Sequence, residues 1–168
     1  MPRLNKPQPP RRPSRLSRAR PEAGVRPAAG GGRPVTLALD ARLHQALGWT
    51  GPPNTVQCAA ALLQALRITF PDEVRRWFPL VPENGPGRLR DPAREHGLDL
   101  ADLRVLHRAL RVAWLAELVF GERDIAHLWL CQPKRRLHGR VPLLLSQFGR
   151  YAQMIEQWLI DIDEGNGP

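Results

Sequence analysis

The chain has 168 residues and a mass of 18.9 kDa, room for one ordinary domain of roughly 100 to 200 residues. Its 42% hydrophobic and 24% charged residues sit near the globular average, which excludes a collagen-like chain, a wholly disordered one and a membrane bundle. The net charge of +9 points to a polyanionic partner, but that charge is unevenly distributed.

Residues 1–34 hold nine lysines or arginines against Glu22 alone, a net +8, while the rest of the chain is near neutral at +1. The same stretch carries eight of the 18 prolines, the run Gly30-Gly31-Gly32 and little apolar bulk beyond Leu4 and Leu16. Such a segment cannot bury enough surface to offset its ordering entropy, so it reads as a disordered tail. Cations such as Arg11, Arg12 and Arg15 are candidate phosphate contacts for DNA, weak, salt-dependent and blind to base sequence. The other reading starts from 23 arginines against two lysines, the usage of a GC-rich genome, and makes the tail a solvated linker or the product of an early start codon.

Val35 to Leu47 is ambiguous between a strand and a helix and is taken as a short lead-in element. After the break Gly48 to Pro53, Asn54 with Gln57 three positions on predicts a helix start. The stripe Val56, Ala59, Leu63, Leu66 and Phe70 predicts its buried face. Pro71 stops that helix and opens another carrying Val74, Trp77 and Phe78. The segment Pro82 to Gly97 holds three prolines and three glycines and is too punctuated for a helix.

Asp99 and Asp102 then cap a long helix, about Leu100 to Phe120, with Leu103, Leu106, Leu110, Ala113 and Trp114 inward and Gly121 as a left-handed stop. It does not span a membrane, because Arg104, His107, Arg108, Arg111 and Glu117 interrupt it. A further helix from Glu122 to Cys131 is expected to bury Ile125, Ala126, Trp129 and Leu130. The basic turn Lys134-Arg135-Arg136 follows, and Pro142 opens a short helix. The last helix, near Arg150 to Asp163, places Tyr151, Met154, Ile155, Trp158, Leu159 and Ile162 on one face, and Gly165 closes it. The sum is an all-α fold, a small helical bundle behind a disordered Arg/Pro-rich tail.

Chemistry is sparse. His127 and Cys131, four apart, with His138 beyond them, make a metal set that lacks its fourth ligand, and a half-buried His beside a small apolar Cys in a helical core accounts for the pair without metal. Asp161, Asp163 and Glu164 gather at a helix end with no partner carboxylate, nucleophile elbow or phosphate-cradling loop. The expectation is a protein that is not an enzyme and needs no cofactor or metal. Two cysteines and no secretory segment point to a reducing cytoplasm.

The C-terminal half carries an ordered series: Val119-Phe120-Gly121, Ala126, Trp129-Leu130, Pro133, Leu137, Gly139, Pro142-Leu143-Leu144, Gly149, Leu159, Ile162 and Gly165. Singly these are cap, turn and core residues. Together, over about residues 110 to 165, they resemble the toxin-binding domain of the antitoxin Xre/MbcA/ParS family. The resemblance implies a binding protein that inhibits a cognate RES-domain toxin, an NAD-consuming enzyme, by covering its active-site cleft.

With the tail 1–34 read from composition, the chain divides into three parts, the others being a helical region 35–109, a candidate degenerate helix-turn-helix, and the toxin-binding domain 110–168 that the resemblance implies. Family members often repress their own operon, but here Gly85, Pro86, Gly87 and Pro92 break the recognition-helix position, leaving Arg88, Arg90 and Arg94 as candidate phosphate contacts to operator DNA. A DNA-binding regulator is therefore the alternative function, and a homodimer stays open. Two toxin-contact regions are expected. The acidic end Asp161, Asp163 and Glu164 complements an electropositive pyrophosphate pocket, and Arg135, Arg136 and Arg140 form a second rim.

Overall fold

Val35, Leu39, Leu43 and Leu47 recur every four residues, and that spacing outweighs the alternation that Leu37 suggests. In the computed structural model, which describes residues 34–70 and 97–166, Pro34–Leu47 is one continuous helix, α1, with those four residues buried and Leu37 exposed. The strand option for this stretch is thus overturned by period-four burial. Gly48, at φ 87°, ends α1 with its amide bonded to the His44 carbonyl.

The next start differs from the expected one. Thr55, not Asn54, takes the extended cap geometry, and its Oγ1 accepts from the Gln57 amide at 3.3 Å. Val56–Cys58 is a single 3-10 turn, and helix α2 runs Ala59–Thr69. Val56 therefore falls off the helical stripe and is exposed, while Ala59, Leu63, Leu66 and Phe70 are buried as expected. The helix expected after Pro71, and the segment 82–96, lie outside the described residues.

Helix α3, Leu100–Phe120, begins with a reciprocal capping box. The Asp102 amide donates to Asp99 Oδ1 at 2.8 Å, and the Asp99 amide donates to Asp102 Oδ2 at 3.1 Å. Two otherwise orphaned donors are satisfied at once. Gly121, at φ 71°, ends α3. Then follow α4 (Arg123–Cys131), a 3-10 turn (Arg135–Leu137), α5 (Pro142–Leu145) and α6 (Gly149–Asp163). The position between 109 and 110 falls inside α3, and the described residues on both sides of it belong to one compact unit. Among the described residues there is no strand, only an isolated bridge between Lys134 and Arg140, and none of their helices is long and apolar enough to cross a membrane.

α1, α2, α4 and α6 all pack on α3. On α3 itself Leu103, Leu106, Ala109, Leu110, Val112, Ala113, Leu115 and Ala116 are buried, at roughly 25 cal/mol per Å² of apolar surface removed from water. Two expected inward residues face solvent instead. Ile125 is exposed because α4 is short and seats only its Ala126 and Leu130 edge. Met154 is exposed because the inner face of α6 is the narrower set Ala152, Ile155, Trp158, Leu159 and Ile160.

Polar groups on α3 tie its neighbours together. Arg111 donates to Asp40 of α1 at 3.1 Å and to both Glu156 oxygens of α6 at 3.2 Å. Burial nonetheless raises the Glu156 pKa, with Arg111 working against it. Trp114 Nε1 donates to Thr69 Oγ1 at 2.8 Å, and that hydroxyl donates to the Ala65 carbonyl at 2.8 Å. His107 is buried, and burial followed by the charges of Arg111 and Arg108 pushes its pKa down to about 4.

Arg111→Ala strands the Glu156 carboxylate and should lower stability by about 3 kcal/mol, whereas Asp40→Ala, at a more exposed site, should cost less than about 1 kcal/mol; urea unfolding at pH 7 measures both. His107 is neutral in the folded chain but titrates near its ordinary 6.5 when unfolded. Stability is therefore complete above pH 6.5 and declines as pH falls towards 4, by up to about 1.4 kcal/mol per pH unit. Urea midpoints at pH 7, 6 and 5 should show this slope, and His107→Gln should flatten it.

Candidate functional site

Pro133 ends α4, and the chain then doubles back on itself. The Lys134 amide donates to the Arg140 carbonyl at 3.1 Å, and the Lys134 carbonyl accepts from the Leu137 and Gly139 amides at 3.0 and 2.9 Å. Closing so short a circuit requires two consecutive left-handed residues, His138 at φ 54° and Gly139 at φ 77°. A histidine tolerates that region at a cost, and glycine occupies it freely. Leu137, 3% exposed, is the single apolar anchor that pins the circuit to the bundle.

Under the turn lies an aromatic cluster. Trp129 and Trp158 meet edge to face with centroids 4.9 Å apart, and Phe120 lies 5.7 Å from Trp129. Lys134 Nζ sits 5.2 Å above the Trp129 ring, and the Arg136 guanidinium sits 5.0 Å from Trp158. Cation–π attraction holds the two charges in place without neutralising them. Burial lowers the Lys134 pKa.

Beside the turn is a cleft of about 380 Å³ lined by Arg136, Leu137, His138, Arg140 and the first turns of α6 through Arg150, Tyr151 and Met154. Arg135, Arg136 and Arg140 are thus brought onto one exposed turn, and none of them forms an ion pair among the described residues. The part of this site contributed by α6, Arg150 and Met154, was missed from sequence. Periodicity assigned Met154 to the core, and nothing local to Arg150 marks it as a neighbour of residue 140.

The acidic candidates lie at the other end of α6. Asp161 accepts from Gln157 Nε2 at 2.7 Å, and Asp163 and Glu164 are exposed. This end is closed: Gly165, at φ 75°, donates to Ile162 and Asn166 donates to Asp161, the paired bonds of a Schellman cap.

The remaining residues of the family-like series are accounted for locally. Ala126, Leu130, Leu137, Pro142 and Leu159 are buried. Gly121, Gly139 and Gly165 have positive φ, and Gly149 is the first residue of α6. Arg11, Arg12, Arg15, Arg88, Arg90 and Arg94 lie outside the described residues.

A second groove, about 410 Å³, runs between α1 and α2 over Trp114. Arg42 sits 4.5 Å above the Trp114 ring and bonds Glu117 at 2.6 Å. His127 approaches Glu117 at 3.7 Å and stacks on Phe70 at 4.8 Å. Burial raises the Glu117 pKa, but His127 and Arg42 outweigh it and the net shift is downward. Arg123 donates to the Ile68 and Thr69 carbonyls at the end of α2. The candidate ligand His127 is therefore engaged with Phe70 and Glu117, and no group of three or more metal-ligand side chains gathers among the described residues.

The chain is 32% identical over 74 residues to the antitoxin Xre of Pseudomonas putida, a stretch covering 44% of this chain and 46% of that protein. The chain thus matches less than half the length of this curated relative. No family model matches the chain, and no solved structure matches it.

Leu137→Ala removes the only apolar anchor of the turn and should destabilise the protein by about 2 to 4 kcal/mol. Hydrogen exchange should rise first at the Leu137, Gly139 and Arg140 amides, ahead of those of α3.

Proposed function

We propose that the chain is the antitoxin of a type II toxin–antitoxin pair, a cytoplasmic binding protein that inhibits a RES-type NAD-consuming enzyme and performs no catalysis itself. The observation that carries this reading is the 32% identity to antitoxin Xre. The ordered motif series of the C-terminal half supports it.

The geometry suits a docking role. The 134–140 turn is already closed by its own hydrogen bonds, so a partner would not have to order it on binding, and less affinity is lost to entropy. Arginine on an aromatic bed is also the composition enriched in the energetic centres of interfaces. In this reading Arg135, Arg136 and Arg140 form one contact. The closed acidic end of α6, with Asp161, Asp163 and Glu164, meets the electropositive pocket in which the enzyme holds a pyrophosphate.

The reading requires a RES-type enzyme in a neighbouring reading frame: expressed alone, it should arrest growth and deplete NAD, and co-expression of this chain should restore both. No rescue by the wild-type chain would remove the reading. Asp163→Asn combined with Glu164→Gln should weaken inhibition about tenfold if the acidic end enters the pocket, measured as the concentration of purified chain that halves NAD consumption.

A further inference from the structure

The start of α6 breaks two local rules. Its cap position is Phe148, whose side chain offers no acceptor to the first-turn amides, although those donors are normally met by Ser, Thr, Asp or Asn. Its second residue is Arg150, a cation at the positive end of the helix dipole, where an anion is favoured. A helix that begins this way is locally unfavourable on both counts.

The same helix end opens onto the 380 Å³ cleft. Arg136 and Arg140 reach it from the turn, and Arg150 from α6. Among the described residues no acidic side chain lines it, and none of the three arginines has an ion pair. Among the described residues the charges lining the cleft share one sign, three guanidinium groups beside a helix start whose cap residue supplies no side-chain acceptor. Each of these costs is relieved by one event, the arrival of negative charge from outside.

The walls say what carries that charge. Tyr151 and Met154 line the cleft, and Met154 is 43% exposed. Phe148, 62% exposed, packs edge to face on Tyr151 at 6.5 Å. Exposed Phe and Met beside unpaired arginines match a polypeptide that brings apolar side chains as well as carboxylates. A phosphate backbone would use the arginines and leave Phe148 and Met154 in water.

We infer that the cleft between the 134–140 turn and the start of α6 is the receptor for an acidic segment of the partner toxin, its carboxylates on Arg136, Arg140 and Arg150 and a neighbouring apolar side chain against Tyr151 and Met154. This inference rests on the antitoxin reading and adds the chemistry of the partner's contacting segment.

The test uses the full chain and, as the antitoxin reading requires, a purified RES-type enzyme from a neighbouring reading frame. The double variant Arg140→Glu/Arg150→Glu should bind that enzyme at least thirtyfold more weakly by calorimetry, and Met154→Ala three- to tenfold more weakly. Arg140→Gln/Arg150→Gln should fall between wild type and the Glu variant, and serves as the test if the Glu variant melts more than about 5 °C below wild type. The salt dependence of binding should shrink in the Gln variant.

Unchanged affinity of both double variants while wild type still inhibits would overturn the cleft and leave the antitoxin reading standing. Failure of wild type itself to bind would overturn both. A 20-base-pair duplex in place of the enzyme provides the last arm: binding to it that is lost in the variants, with enzyme affinity intact, would assign the cleft to phosphate and overturn the inference.

Discussion

Leu103, Leu106, Leu110, Ala113 and Trp114 on one side of α3, and Ala109, Val112, Leu115 and Ala116 around the rest, are all removed from water. A helix apolar over so much of its circumference is stable only when other elements enclose it. That requirement places α1, α2, α4 and α6 around a common axis, and it brings residues distant in sequence to one surface. The few polar positions left on α3 become its fasteners. Arg104 donates to the Pro53 carbonyl, Arg108 to the Gln147 carbonyl, and Arg111 to two carboxylates.

This arrangement explains how the cationic turn can protrude without being loose. The Arg108 guanidinium holds the Gln147 carbonyl just ahead of α6, and Arg111 holds α6 itself through Glu156. The far side of the cleft is therefore fixed to the central helix, while the near side is fixed by Leu137 and by the turn's own bonds. A binding surface whose two walls are independently anchored keeps its shape when empty, which is the condition for small entropic loss on association.

Much of the local structure was legible in the residues, because each signal acts within a few positions. Asp99 with Asp102, Gly121, Pro142 and Gly165 each mark a helix end through a backbone hydrogen bond or a φ value that no tertiary context needs to supply. Legibility failed where the outcome depends on what lies opposite. Met154 has perfect helical spacing, yet α6 meets α3 along a narrower stripe, so spacing alone could not separate the core from the rim. Leu37 misled in the reverse sense, suggesting alternation where period four prevailed. The candidate site was half legible: the basic run 134–136 is contiguous, but the contribution of Arg150 exists only because α6 folds back beside residue 140.

Trp129 and Trp158 lie directly beneath Lys134 and Arg136, and that proximity gives the molecule a built-in optical gauge. Indole emission responds to a positive charge above the ring, so any ligand that draws either cation outward changes the intrinsic fluorescence without a label. Trp114, with its indole bonded to Thr69 and covered by Arg42, lines the other groove. Occupancy of the turn is thereby readable as light from the native chain.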